Sequence, residues 1–320
     1  SAGALSGFLY TLAVYLEWSI YWFVPLTLIV ALAGGIPGIL TVVYAYVADV
    51  SSTKWLTLRL GIVESMVFFG SGTSLALGGV WLQSSHCKFV APYAIYCIAN
   101  ILILVYVLFL LPESLTRSQR KAKFTGSSGL RHIARSFQIF FTRNEYSRWR
   151  LWCVVCSMFI IYLVFTGASE ISTLFLLHAP LKWTPGAIGI FQAMSQLSYG
   201  LSIFLIIPLF VYLRVPDALI LLIGVLWGTV CYLLTGFVRN GWEMYAVGVV
   251  QGVESIVGPP IRSTISKAVA LKDQGAAFSI LSSVEVLAAL SAGIIFFFFL
   301  PSHPIPGAPS WHLVHPDGCD

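Results

Sequence analysis

The chain has 320 residues, of which 58% are hydrophobic and only 10% charged, with a mean hydropathy of +0.87. An ordinary soluble domain carries about 25% charged residues, so this chain lacks the polar side chains that a water-facing surface requires, and its surface must face lipid. The net charge of +5 is carried by basic residues that sit between apolar runs, as membrane orientation demands, and this distribution argues against nucleic acid as a partner.

Apolar runs occur at 2–16, 20–47, 58–83, 89–111, 151–177, 186–213, 216–238, 243–269 and 277–300. A helical span needs about 20 predominantly apolar residues, so nine transmembrane helices are predicted, the first of them short. Assigning the connecting segments alternately to two sides places Lys54, Arg59, Arg117, Arg120, Lys121, Lys123, Arg131, Arg135, Arg143, Arg148, Arg150, Arg214, Lys267 and Lys272 on one side. Only Lys88, Lys182 and Arg239 fall on the other. The basic side is therefore cytoplasmic.

The fold class expected is an all-α membrane protein of two helical bundles. Residues 1–111 form the first, and the basic, Ser-rich segment 112–150 is a cytoplasmic linker. Residues 151–300 form the second. Within the linker, 130–141 has the pattern of an amphipathic surface helix or of a solvated connector. Residues 301–320 are rich in Pro and His and cannot span. On a six-plus-six plan two helices would precede residue 1 and one would follow residue 300, so the chain is expected to be truncated.

Cys153 and Cys156 form a C-x-x-C inside an apolar helix, with no second pair and no nearby His, and read as packing residues. The tail histidines His303, His312 and His315 have no ligand geometry, so neither a metal nor a cofactor is expected. The pairs Gly34/Gly38, Gly224/Gly228 and Gly248/Gly252 have the small-x-x-x-small spacing that lets helices approach. Tryptophans near the run ends, such as Trp18, Trp149 and Trp183, read as interfacial anchors.

Charges inside apolar runs carry more information. One at the bilayer centre costs about 2.5–3.5 kcal/mol on insertion scales and is kept where it faces a cavity or a partner. Glu254 and Arg262 share the run 243–269, separated by Gly258, Pro259 and Pro260. The prolines remove backbone donors and are expected to kink the helix and free carbonyls, and transporters place substrate sites at such broken helices. Arg262 can grip a carboxylate or phosphate with two parallel hydrogen bonds, or form a structural pair with a glutamate. Glu285 lies near the middle of the last run, and Glu170 toward the outer end of its own. Glu64 lies toward the cytoplasmic end, within expected reach of Arg59. Removing a carboxylate from water favours its protonated form, as proton coupling requires. Asp49 reads as a helix-end charge.

Three stretches, YAYVADVSSTKWLTLRLGIVES at 44–65, STLFLLHAPLKW at 172–183 and PPIRSTISKAV…QGAAFS at 259–279, occur in one order along the chain. They resemble the solute carrier family that contains the proton-coupled folate transporter and the thymic stromal cotransporter. The resemblance covers most of the chain, from the third to the eleventh helix of the family. It implies a major facilitator fold with alternating access, in the plasma membrane or a lysosomal or endosomal membrane. It also implies that Glu64 stands at a fifth-helix glutamate linked to proton coupling, and Arg262 at a tenth-helix arginine linked to substrate and proton binding. Two family positions differ: Phe165 replaces a seventh-helix histidine, and Gly35 replaces the aspartate of a fourth-helix Gly-Asp pair.

The function expected is secondary active transport of a small organic solute, anionic and proton-coupled, either folate-like or muropeptide-like. Its partners are that solute, protons and the bilayer. Substrate and proton binding fall to Arg262, Glu64, Glu254, Glu285 and Glu170. Gating and structural roles fall to Asp49, Arg59, Pro259 and Pro260. The alternative is a truncated, non-transporting membrane protein acting as a receptor or scaffold. No nucleophile, base or metal cluster gathers at a membrane face, so no enzyme is expected.

Overall fold

A computed structural model describes residues 2–299 apart from 17, 33, 85–89, 113–147, 178–180 and 270–272. The interior of the expected linker, with its 130–141 stretch, and the tail 301–320 with its histidines lie outside the described residues. The helices are α1 (Ala2–Tyr15), α2 (Phe23–Leu32), α3 (Gly35–Asp49), α4 (Leu56–Ser84), α5 (Val90–Phe109) and α6 (Arg148–Leu177). They continue with α7 (Pro185–Tyr212), α8 (Asp217–Phe237), α9 (Gly241–Val250), α10 (Gly258–Ala268) and α11 (Gln274–Phe299). Among the described residues there is no strand.

Six of these helices are long and apolar enough to cross a membrane: α4, α5, α6, α7, α8 and α11. Their outward faces carry large apolar side chains such as Phe109, Leu209, Leu233 and Leu290. Water would oppose that exposure, and lipid does not. The chain is a multi-pass membrane protein.

Two of the nine predicted runs are not continuous helices. The run 20–47 breaks at Gly34 and Gly35, both in the left-handed region with φ of 95° and 52°. Glycine adopts that conformation without the steric penalty of a Cβ, so Gly34 starts α3, where the Gly34/Gly38 spacing had suggested a packing surface. The run 243–269 breaks between α9 and α10, where Gln251–Val257 winds as a 3-10 helix. The break thus lies before the prolines. Pro259 and Pro260 occupy the first turn of α10, where a missing N–H is harmless because the first N–H groups of a helix have no partner within it.

The most extensive interface joins α4 to α7. Small residues permit it: a Cβ on Gly72 would stand 2.8 Å from Leu197 Cγ and 3.0 Å from the Ala193 carbonyl. At one end of the molecule α3, α4, α6, α10 and α11 surround a core of Tyr44, Leu60, Met158, Ile261, Ile265 and Phe278. Helices α1, α2 and α5 pack beside one another, and Tyr10, Phe23 and Tyr93 group their rings there.

Candidate functional site: a buried ion cluster beneath a polar cavity

Arg262 is on the first turns of α10, a helix buried on nearly every face. The start of α10 is wedged against α4 so tightly that a Cβ on Gly258 would collide with the Glu64 carboxyl. From there Arg262 Nη1 donates to Glu64 Oε1 at 2.7 Å. Its Nη2 donates to Glu285 Oε1 and to the Tyr162 hydroxyl, each at 2.8 Å. The guanidinium also lies over the Tyr44 ring, 4.5 Å from its centroid. Side-chain exposures of 3% for Arg262, 8% for Glu64 and 13% for Glu285 leave little solvent to screen these charges. Removing one member of such a buried pair costs about 3–5 kcal/mol, because the partner's charge is stranded. Glu64 Oε2 is buried and has no hydrogen-bond partner.

A second polar layer lies nearer the basic loops. Asp217, at the start of α8, accepts from Thr57 of α4 at 3.1 Å, from Ser263 of α10 at 3.2 Å and from Lys267 Nζ at 2.6 Å. The Thr57 and Ser263 hydroxyls are themselves 2.7 Å apart. Thr41 and Ser282 hydroxyls, 2.6 Å apart, pin α3 to α11. The two layers bind the first part of the chain to the second at the end of the helices that faces the basic segments.

The opposite end is open. A cavity of about 220 Å³ lies among α4, α6, α7, α8 and α9, lined by Phe165, Ser169, Ser172, Thr173, Gln192, Ser195, Gln196, Tyr199, Tyr232 and Gln251 together with apolar residues. At its base the Tyr199 ring meets Phe68 edge-on and Phe165 at a tilt, with centroids 5.5 and 5.9 Å apart. Phe165 lines the cavity and Tyr162 joins the ion cluster. They are one turn apart on α6, about 4.5 Å of rise, so this aromatic layer is the floor between cavity and cluster.

Of the residues singled out from the sequence, Arg262, Glu64 and Glu285 come together. Glu254 does not join them. It lies on the 3-10 segment, about 12 Å of helical rise from Arg262. It accepts from the Tyr232 hydroxyl at 2.7 Å and from Gln251 Nε2 at 3.1 Å. Glu170 is exposed on α6. Arg59 does not pair with Glu64. It donates to the Val50 carbonyl at 2.8 Å and to Ser51 Oγ at 3.3 Å. Five residues on a helix put two side chains on different faces, whereas three or four align them, and the carbonyl end of α3 attracts a cation. Asp49 is the last residue of α3, in the same turn.

Tyr44, Tyr162, Thr57, Asp217, Ser263 and Lys267 were not singled out from the sequence. Their partners lie between 46 and 218 positions away within these layers, and no local spacing announces them.

No family model matches the chain. It is 30% identical over 273 residues to the "Proton-coupled folate transporter" of Bos taurus, an alignment covering 85% of this chain and 58% of the relative. It is 28% identical over 290 residues to the rat protein of that name, covering 90% of this chain and 61% of the relative. The mouse "Lysosomal proton-coupled steroid conjugate and bile acid symporter SLC46A3" is 28% identical over 252 residues, covering 78% and 54%. The chain belongs to the solute carrier family of these transporters. It has the all-α major facilitator fold that the resemblance implied. The chain spans somewhat over half the length of the curated relatives it matches.

Proposed function

We propose that this chain carries a small organic solute across a membrane together with protons, by alternating access between two bundles, residues 1–111 and 151–300, joined by the linker 112–150. The observation that carries this reading is the buried Glu64–Arg262–Glu285 cluster. It ties Tyr44 and Glu64 of the first bundle to Tyr162, Arg262 and Glu285 of the second.

Glu64 is the proton carrier in this reading. One of its oxygens holds Arg262, while the other is buried and unpartnered, a place where a proton can reside. A proton on Glu64 cancels its charge and weakens its hold on Arg262, which stays with Glu285. The bundles then part at the end facing the basic loops, after Thr57, Ser263 and Lys267 release Asp217. The open cavity at the other end closes as they do. Return of Glu64 to the ionised form resets the latch. Arg59 and Asp49, at the turn between α3 and α4, steady the gate. Pro259 and Pro260 fix the start of α10 and thereby aim Arg262. Glu170, exposed and remote from both layers, takes no part.

The expectation of an anionic solute rested on Arg262. Both arms of its guanidinium are engaged here, and the aromatic floor separates it from the cavity. We therefore assign Arg262 to the proton-sensitive latch and not to anion capture. Proton coupling is what we carry over from relatives named as proton-coupled transporters; their named solutes are not.

The test is uptake into liposomes holding the purified protein, with an imposed proton gradient and a panel of labelled folates, muropeptides, steroid conjugates and aromatic amines. The native protein is expected to accumulate a solute when the outside is acidic. Glu64→Gln is expected to lose accumulation against the gradient while still exchanging solute. Accumulation by that variant as steeply proton-driven as the native would overturn the assignment. A flat pH profile in the native protein would make it a facilitator, and no saturable uptake at all would favour the receptor or scaffold.

A further inference from the structure

Outside the ion cluster, Glu254 is a carboxylate within an apolar run that has no cation beside it among the described residues. Glu254 is half-buried, and no Lys, Arg or His among the described residues pairs with it. Its two hydrogen bonds both arrive from donors, the Tyr232 hydroxyl and the Gln251 amide. Both donors line the cavity.

Among the described residues that line it, the cavity has no cationic side chain. Its polar groups are hydroxyls and amides, and its apolar walls include the rings of Phe165, Phe191, Tyr199 and Tyr232. Gln196 adds an acceptor: its Oε1 is buried with no hydrogen-bond partner and the residue lines the cavity. An unpartnered buried acceptor costs about 1–3 kcal/mol until a donor reaches it. An anion entering here would be desolvated against ring faces, with the Glu254 carboxyl behind Tyr232 and Gln251 and no cationic side chain among the described lining residues to neutralise it. A cation meets the reverse: an unfilled acceptor, several aromatic faces that attract positive charge, and the Glu254 carboxyl directly behind Tyr232 and Gln251.

We infer that this cavity receives the protonated nitrogen of an organic amine, with its N–H groups directed toward the Glu254–Tyr232–Gln251 unit and Gln196 and its apolar body against the aromatic walls. The inference rests on the transport reading and names the substrate class of that same cavity. The groups that face Glu254 are Tyr232 and Cys231 of α8, Tyr199 of α7 and Gln251 of its own segment. Glycine at 228 leaves the carboxyl its place, since a Cβ there would lie 2.8 Å from Glu254 Cδ.

The experiment is equilibrium binding to the full chain in detergent, with no proton gradient, so that it is independent of coupling. The probes are 4-phenylbutylamine, 4-phenylbutanol and 4-phenylbutyrate, which share one body and differ in charge. The amine is expected to bind about tenfold or more tightly than either of the others, the worth of one charge-assisted hydrogen bond. Glu254→Gln is expected to erase that preference, and Tyr232→Phe to reduce it. Equal or tighter binding of 4-phenylbutyrate by the native protein overturns the inference, as does an amine preference that survives Glu254→Gln. If Glu254→Gln does not fold, the native ranking of the three probes decides alone. Amine binding without proton-driven uptake would defeat the transport reading and leave the ligand class standing. Proton-driven uptake of an anion with no amine binding would do the opposite.

Discussion

The two ends of the run 243–269 treat charge in opposite ways. At α10, Arg262 is wrapped by two carboxylates, a tyrosine hydroxyl and a tyrosine ring, and the whole assembly is dry. One 3-10 segment away, Glu254 has two neutral donors and a cavity beside it. A closed set of charges can hold helices together and respond to a proton. A charge left open beside a cavity can select what enters. The contrast suggests that latch and receptor are separate devices on one interrupted helix, divided by the Phe68, Phe165 and Tyr199 floor.

The most severe way to break the comparison is Arg262→Ala. It strands Glu64 and Glu285, and a loss of about 3–5 kcal/mol is expected, read as a lowered melting temperature together with abolished saturable uptake. Arg262→Lys should not restore uptake, because an ammonium lacks the planar fork that reaches Glu64 and Glu285 at once. Full uptake by either variant would remove Arg262 from the latch.

Gly258→Ala sharpens the same point from the neighbouring helix. Its Cβ would push the Glu64 carboxyl off Arg262, and overpacking of this kind costs about 1–3 kcal/mol. The melting temperature should fall, and uptake should depend less on external pH. An unchanged pH profile would mean that the contact between Glu64 and Arg262 does not govern coupling.

On the cavity side, Gly228→Ala crowds Glu254 and leaves the ion cluster untouched. Amine binding is expected to weaken by about tenfold, the equivalent of about 1.4 kcal/mol, with the pH dependence of uptake preserved. A change in pH dependence without a change in binding would show that the two devices are not separate.

The smallest effects belong to the outer polar layer. Thr57→Val removes the hydroxyl shared with Asp217 and Ser263, a loss of about 0.5–1.5 kcal/mol measurable by thermal melting. Lys267→Gln should cost under about 1 kcal/mol, since that side chain is 34% exposed and its pair with Asp217 is partly screened. Both should favour opening at the end facing the basic loops, visible as faster solute exit than entry in liposomes.

Much of this was legible from composition and spacing. Apolar runs of helical length follow directly from the need to satisfy every backbone group inside lipid, and the described helices overlap the predicted runs with ends that overshoot by no more than three residues. Arg262, Glu64 and Glu285 stood out because an ionisable residue in an apolar run needs a partner. Gly258, Pro259 and Pro260 marked a discontinuity, and the helix is indeed interrupted beside them. The pairing itself was not legible. Glu64 and Arg262 are 198 positions apart, and the sequence offered Arg59 as the nearer candidate.

The sequence by itself determined that this chain lives in a membrane, where its apolar helices lie and which charges cannot be idle there. Those conclusions depend on local composition and on the cost of exposing polar groups to lipid. Only the tertiary structure decided that Glu64 belongs to Arg262, that Glu254 stands apart behind two residues that line a cavity, and that aromatic rings divide the two. Such choices depend on which helix faces meet across the bundle, and a linear pattern of apolar runs carries no record of that.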